Sequence, residues 1–67
     1  MIALTVNGKP QELPGEMPLL EFLAREGIDR RHIAIGLNGE VVPRQEYERV
    51  LLKEGDVVEI VHMVGGG

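Results

Sequence analysis

The segment Gly55-Asp56-Val57-Val58-Glu59-Ile60-Val61-His62-Met63-Val64-Gly65-Gly66-Gly67 contains a turn, a strand and a tail without side chains. Strand alternation puts Val58 and Ile60 on one face and Val57, Glu59, Val61 and Met63 on the other, and the charged Glu59 marks the outward side. A strand over Val57 to Val64 is therefore expected, with its inner face on a core. The glycines that follow pack nothing and lose the most conformational entropy when ordered, so they contribute little to a fold. Extended at ~3.3–3.6 Å per residue, they reach ~10 Å, thin enough to carry a carboxylate into a partner's active site. A frayed terminus is the plain alternative. The expected organisation is one domain over 1–64 and a flexible glycine tail over 65–67.

Upstream, the same alternation recurs twice. Ile2, Leu4 and Val6 alternate with Ala3 and Thr5 and run into Asn7-Gly8, a strong hairpin signal, so a return strand is expected near Gln11 to Leu13. Ile33, Ile35 and Leu37 alternate with Ala34 and Gly36 and run into Asn38-Gly39, with Val41-Val42 pairing back before Pro43. Between them, Pro18 in a first turn, then Leu19, Phe22 and Leu23 at helical spacing, then Gly27 as a stop, predict a helix over 18–26. Val50 to Leu52 reads as a further short strand.

This order of elements, with one helix available to cover one sheet face, predicts an α+β domain of the ubiquitin-like β-grasp type. The final strand is expected centrally, parallel to the first and joined to it through the helix-containing crossover. The inner face then gathers Ile2, Leu4, Val6, Ile33, Ile35, Leu37, Val58 and Ile60. The outer face gathers Ala3, Thr5, Ala34, Gly36, Val61 and Met63. Such a small, partly apolar face reads either as ordinary variation of a solvated sheet or as a partner surface, and its continuity with the glycine tail favours the partner surface.

Composition excludes several functions. A chain of 67 residues makes one small core and leaves little room for a deep catalytic pocket. With no cysteine there is no disulfide, thiolate metal site or thiol nucleophile, and the chain suits a reducing cytoplasm. The opening Met1 to Val6 breaks too early for a signal peptide or a membrane span, so a soluble cytoplasmic protein is expected. A net charge of −4 with scattered Lys and Arg argues against nucleic acid, and Arg30-Arg31-His32 reads as a solvated turn. His32 and His62 lack companions at ligand spacing, so no metal site is expected. The acidic pairs Glu16/Glu21, Glu46/Glu48 and Glu54/Asp56 read as solubility charges, and the glycines lack the Gly-Lys-Ser/Thr ending of a phosphate-binding loop.

Taken together, Val6-Asn7-Gly8, Phe22-Leu23, Ile35 to Gly39, Val42-Pro43-Arg44, Leu52 to Val61 and the closing Gly66-Gly67 resemble the sulfur carrier family of thiamine biosynthesis (the ThiS family) over essentially the whole chain. Tyr47 stands where that family often has tryptophan, and Gly65 is additional to its terminal pair. The resemblance implies a carrier rather than an enzyme. A partner adenylating enzyme, related to ubiquitin-activating proteins, would use Mg-ATP to make an acyl-adenylate of Gly67. A sulfur donor protein would then convert this to a thiocarboxylate, which supplies sulfur to thiazole synthase. The carrier itself would bind no cofactor. Gly65 and Gly66 would form the tail, and Val61, Met63, Ala34 and Gly36 the docking surface for both enzymes. Two other readings stay open at this point: a carrier of the molybdopterin synthase type, and a β-grasp protein-binding module with an incidental tail.

Overall fold

A computed structural model describes residues 1–63, so Val64 and the tail positions Gly65, Gly66 and Gly67 lie outside the described residues. Among the described residues, seven strands and one α-helix follow one another as β1 (Ile2–Val6), β2 (Lys9–Leu13), β3 (Met17–Pro18), α1 (Leu19–Arg25), β4 (Ile33–Leu37), β5 (Glu40–Val42), β6 (Leu51–Leu52) and β7 (Val57–His62). The main sheet has the order β2-β1-β7-β4-β5, with β7 parallel to β1 and antiparallel to β4. This is the mixed sheet on one helix expected of a β-grasp domain, with the last strand at its centre. Both hairpin turns have positive φ at both central residues, Asn7 and Gly8 in one and Asn38 and Gly39 in the other. That conformation matches the twist of the flanking strands.

Side-chain alternation in β7 follows the expected faces. Val58 and Ile60 are buried, whereas Val57, Glu59 and Val61 are exposed. Phe22, Leu19 and Leu23 bring the apolar stripe of α1 onto Leu4, Ile33, Ile35, Val58 and Ile60 in one cluster. Four more core residues, Leu13, Met17, Tyr47 and Leu52, close its margins.

Several boundaries differ from expectation. The helix begins at Leu19, because Pro18 has extended ψ and ends a two-residue strand paired with Leu51. The strand expected over Val50 to Leu52 is Leu51–Leu52, and it joins β3 in a separate two-stranded sheet rather than the main one. The described part of the last strand ends at His62. The return strand starts earlier, at Lys9, and tolerates Pro10 because β2 is an edge strand whose outer side needs no donor. A 3₁₀ turn over Arg44–Arg49 buries Tyr47, an element without apolar periodicity to announce it. Glu54 and Asp56 serve as turn anchors rather than only as solubility charges. Glu54 Oε1 accepts the Ala3 N–H at 2.9 Å, and Asp56 accepts from the Lys53 N–H at 2.9 Å and Asn38 Nδ2 at 3.1 Å.

The two hairpin asparagines also hold the central strand. Asn7 Oδ1 accepts the Ile60 N–H at 2.7 Å, where β1 has already turned away, and Asn38 Oδ1 accepts the Val57 N–H at 2.8 Å. Asn38→Gly retains the left-handed backbone but removes its side-chain bonds to Val57 and Asp56. A loss of about 1–2 kcal/mol in urea unfolding is expected. Asn38→Ala adds the left-handed penalty of ~1 kcal/mol or more. A glycine variant as stable as the parent refutes the clamp.

Candidate docking face and the root of the terminal segment

The outer face of the sheet owes its shape to β4, whose outward positions are Ala34 and Gly36. Register sets Ala34 beside Val61, and Gly36 between Glu59 and Val41. Small residues in the middle and valines on either side leave an open concavity of ≈ 240 Å³, with Ala34 and Gly36 on its floor and Val41, Val61 and Glu59 along its walls. A Cβ built on Gly36 would lie 3.8 Å from Glu59 Cβ and 3.8 Å from the Glu40 carbonyl oxygen, which is ordinary contact. Gly36 therefore sets the depth of the trough rather than relieving a clash.

Of the expected docking residues, Val61 and Met63 are exposed at 57% and 50%, while Ala34 and Gly36 are half-buried between them and the edge strand. The structure brings Ala34, Gly36 and Val61 to one trough, and Met63 follows one residue past the end of β7. It adds the exposed valines Val41, at 81%, and Val57. Val41 was legible in principle, because Val42 pairs opposite the inward Ile35 and its neighbour must then point out. Glu59 puts a carboxylate at this apolar surface, and Glu40 meets it with its backbone carbonyl. The ladder continues one residue past β7, where the Met63 N–H donates to the His32 carbonyl at 2.9 Å. The last described residue, Met63, thus lies at the end of the sheet where β4 begins. The expected sulfur-bearing Gly67 and the tail positions Gly65 and Gly66 lie outside the described residues.

The Arg30–His32 stretch is a 3₁₀ turn, exposed throughout and capped by Asp29. Asp29 accepts from Arg31 Nη2 at 2.8 Å, from Arg31 Nε at 3.1 Å and from the Arg31 N–H at 2.9 Å. The guanidinium bonds first, and then the backbone N–H, hold the Asp29 carboxyl well below the usual carboxylate range. His32 and His62 are exposed at the strand ends, and no three His, Cys, Asp or Glu side chains converge among the described residues. No helix among the described residues is long and apolar enough to cross a membrane.

The fold and this face define a β-grasp domain with an exposed outer sheet surface that runs into a C-terminal segment. The sequence profile of the ThiS family matches residues 4–67, and the chain belongs to that family. The crystal structure of the thiamine biosynthesis protein ThiS from Geobacter metallireducens superposes with a TM-score of 0.85 at 35% identity, covering 98% of this chain and 100% of that one. The sulfur carrier protein ThiS of Thermus thermophilus is 37% identical over 62 residues, covering 92% of this chain and 95% of that protein. A thiazole synthase of Paramagnetospirillum magneticum is 36% identical over 64 residues, and there the chain covers 96% of itself but spans only 20% of the length of that protein.

Proposed function

We propose that this chain is a sulfur carrier of thiamine biosynthesis whose Gly67 carboxylate is activated and thiolated while the outer sheet face docks the enzymes that act on it. The observation that carries the reading is the exposed apolar trough of Ala34, Gly36, Val41 and Val61, continuous with the strand that leads into the glycine segment. A contiguous exposed apolar surface is stable in solution but gains free energy when a partner covers it.

The chemistry follows from what the chain has and lacks. It has no cysteine, so sulfur cannot ride on a side-chain thiol. A terminal carboxyl has a pKa of ~3.3–3.7, so at neutral pH it is an anion able to attack the α-phosphorus of ATP, releasing pyrophosphate and leaving an acyl-adenylate. Hydrosulfide released by a donor protein then displaces AMP, its C–S bond forming as the C–O bond to AMP breaks, which leaves the thiocarboxylate. Mg-ATP belongs to the partner adenylating enzyme in this scheme. Thiazole synthase as the acceptor is supported by the Paramagnetospirillum relative, in which a segment similar to this chain forms part of a protein named thiazole synthase. The cytoplasm, where thiols stay reduced, is the compartment proposed for this exchange.

Val61→Glu and Met63→Glu test the docking face. In the free protein the new carboxylate stays in water at an exposed position, whereas in a complex it would be desolvated against apolar surface. Calorimetric titration should show affinity for the adenylating enzyme and for thiazole synthase falling by about tenfold or more, or ~1.4 kcal/mol, with an unchanged melting temperature. Unchanged affinity for both enzymes removes the face from the scheme.

A further inference from the structure

Arg30, Arg31 and Arg44 account for three of the seven basic residues in a chain of net charge −4. They line one groove of ≈ 190 Å³ with Tyr47 and Glu48. Arg31 is neutralised by Asp29. Arg44 is held in place by a bond from Nη2 to the Arg31 carbonyl at 3.1 Å, which leaves most of its donors unused. The Arg30 guanidinium makes no hydrogen bond among the described residues, and Glu48 forms no ion pair with any of the three there. Tyr47 is buried beside them, so the groove rests on the core. Its position is also defined. Arg31 directly precedes His32, whose carbonyl takes the Met63 N–H, so the groove lies beside the root of the C-terminal segment.

We propose that the Arg30/Arg44 groove is a second docking element, one that takes carboxylate side chains from an acidic segment of a protein partner. Guanidinium groups bind carboxylates in bidentate fashion, and the fixed Arg44 loses less side-chain freedom on binding than a free arginine would. Size and charge select this occupant. Small-molecule sites are typically ~300–1,000 Å³, so this groove is too small for a nucleotide but admits one or two carboxylate tips. The chain's overall negative charge repels an extended polyanion such as RNA, whereas a short acidic segment meets only the local positive field. Contact here, together with burial of the outer face, would fix how the terminal segment leaves the domain. The groove requires nothing of the sulfur chemistry, so it stands or falls separately from the function proposed above.

The test is a nuclear magnetic resonance titration of the ¹⁵N-labelled full chain, observing arginine Nε–Hε signals, with hexaglutamate and, separately, with inorganic phosphate at matched ionic strength. Saturable shifts confined to Arg30, Arg44 and the adjoining turn are expected, with half-saturation by hexaglutamate at a concentration at least about tenfold below that for phosphate. Arg30→Gln with Arg44→Gln should abolish them. Lysine at both positions should restore only part of the binding, because an ammonium lacks the planar fork. Should the double variant misfold through loss of the Arg44 to Arg31 bond, Arg30→Gln alone breaks no hydrogen bond and must still weaken binding. Equal affinity for phosphate would identify a free-anion site and overturn the proposal. So would shifts of the same size at Arg25 and Arg49, or no shifts at all.

Discussion

Gly66→Val, or one residue added after Gly67, is expected to abolish thiocarboxylation while leaving the folded domain unchanged. An added residue moves the carboxylate by up to ~3.6 Å, and an error of about an ångström in placing reacting groups already costs ~10²-fold in rate. Valine at 66 acts differently, by adding a β-branched side chain where the scheme needs a thin chain inside an enzyme channel. Neither change touches the core, so far-ultraviolet circular dichroism should be unaltered. Intact-protein mass spectrometry after incubation with adenylating enzyme, Mg-ATP and a sulfur donor should show oxygen exchanged for sulfur at Gly67 in the parent only. Sulfur found elsewhere, or an extended chain modified as readily as the parent, contradicts the carrier scheme.

The second large effect lies in the core. Phe22 is fully buried in the apolar cluster formed by the described residues. Truncating such a side chain to alanine costs ~3–5 kcal/mol, because the cavity left behind collapses only in part. Domains of this size have roughly 3–10 kcal/mol of total stability at ~0.05–0.15 kcal/mol per residue. Phe22→Ala should therefore lower the urea midpoint by about a third or more. Val41→Ala is the control. Val41 is 81% exposed, so its truncation should cost less than ~0.5 kcal/mol. Removing residues 65–67 deletes no side chain at all, and the melting temperature should barely move. A Phe22→Ala protein as stable as the parent, or a tail deletion that unfolds the domain, would place the folding energy elsewhere.

The sequence by itself determined what is periodic or conformationally local. Alternation at β1, β4 and β7 gave the inner and outer faces residue by residue. Asn7-Gly8 and Asn38-Gly39 gave the two hairpins, because so few residue pairs accept positive φ at both positions. The helix face was legible from Leu19, Phe22 and Leu23. The residues quoted for the family resemblance lie in these same elements, which is why family and fold were readable together.

Tertiary structure decided whatever depends on contacts between distant segments. Pro18 looked like a helical first turn until its pairing with Leu51 made it the end of a strand. Tyr47 carried no periodic signal, and only packing against the helix made it core. Glu54 and Asp56 read as solvated charges, yet a backbone N–H fifty-one residues away supplied Glu54 with its partner. Arg31 and Arg44 stand thirteen residues apart, and no local rule predicts that they share a groove. Side-chain alternation is written into each strand. Which charges meet depends on how the strands and turns are stacked, since the hydrophobic burial that drives the stacking is non-directional and indifferent to the polar groups carried along with it.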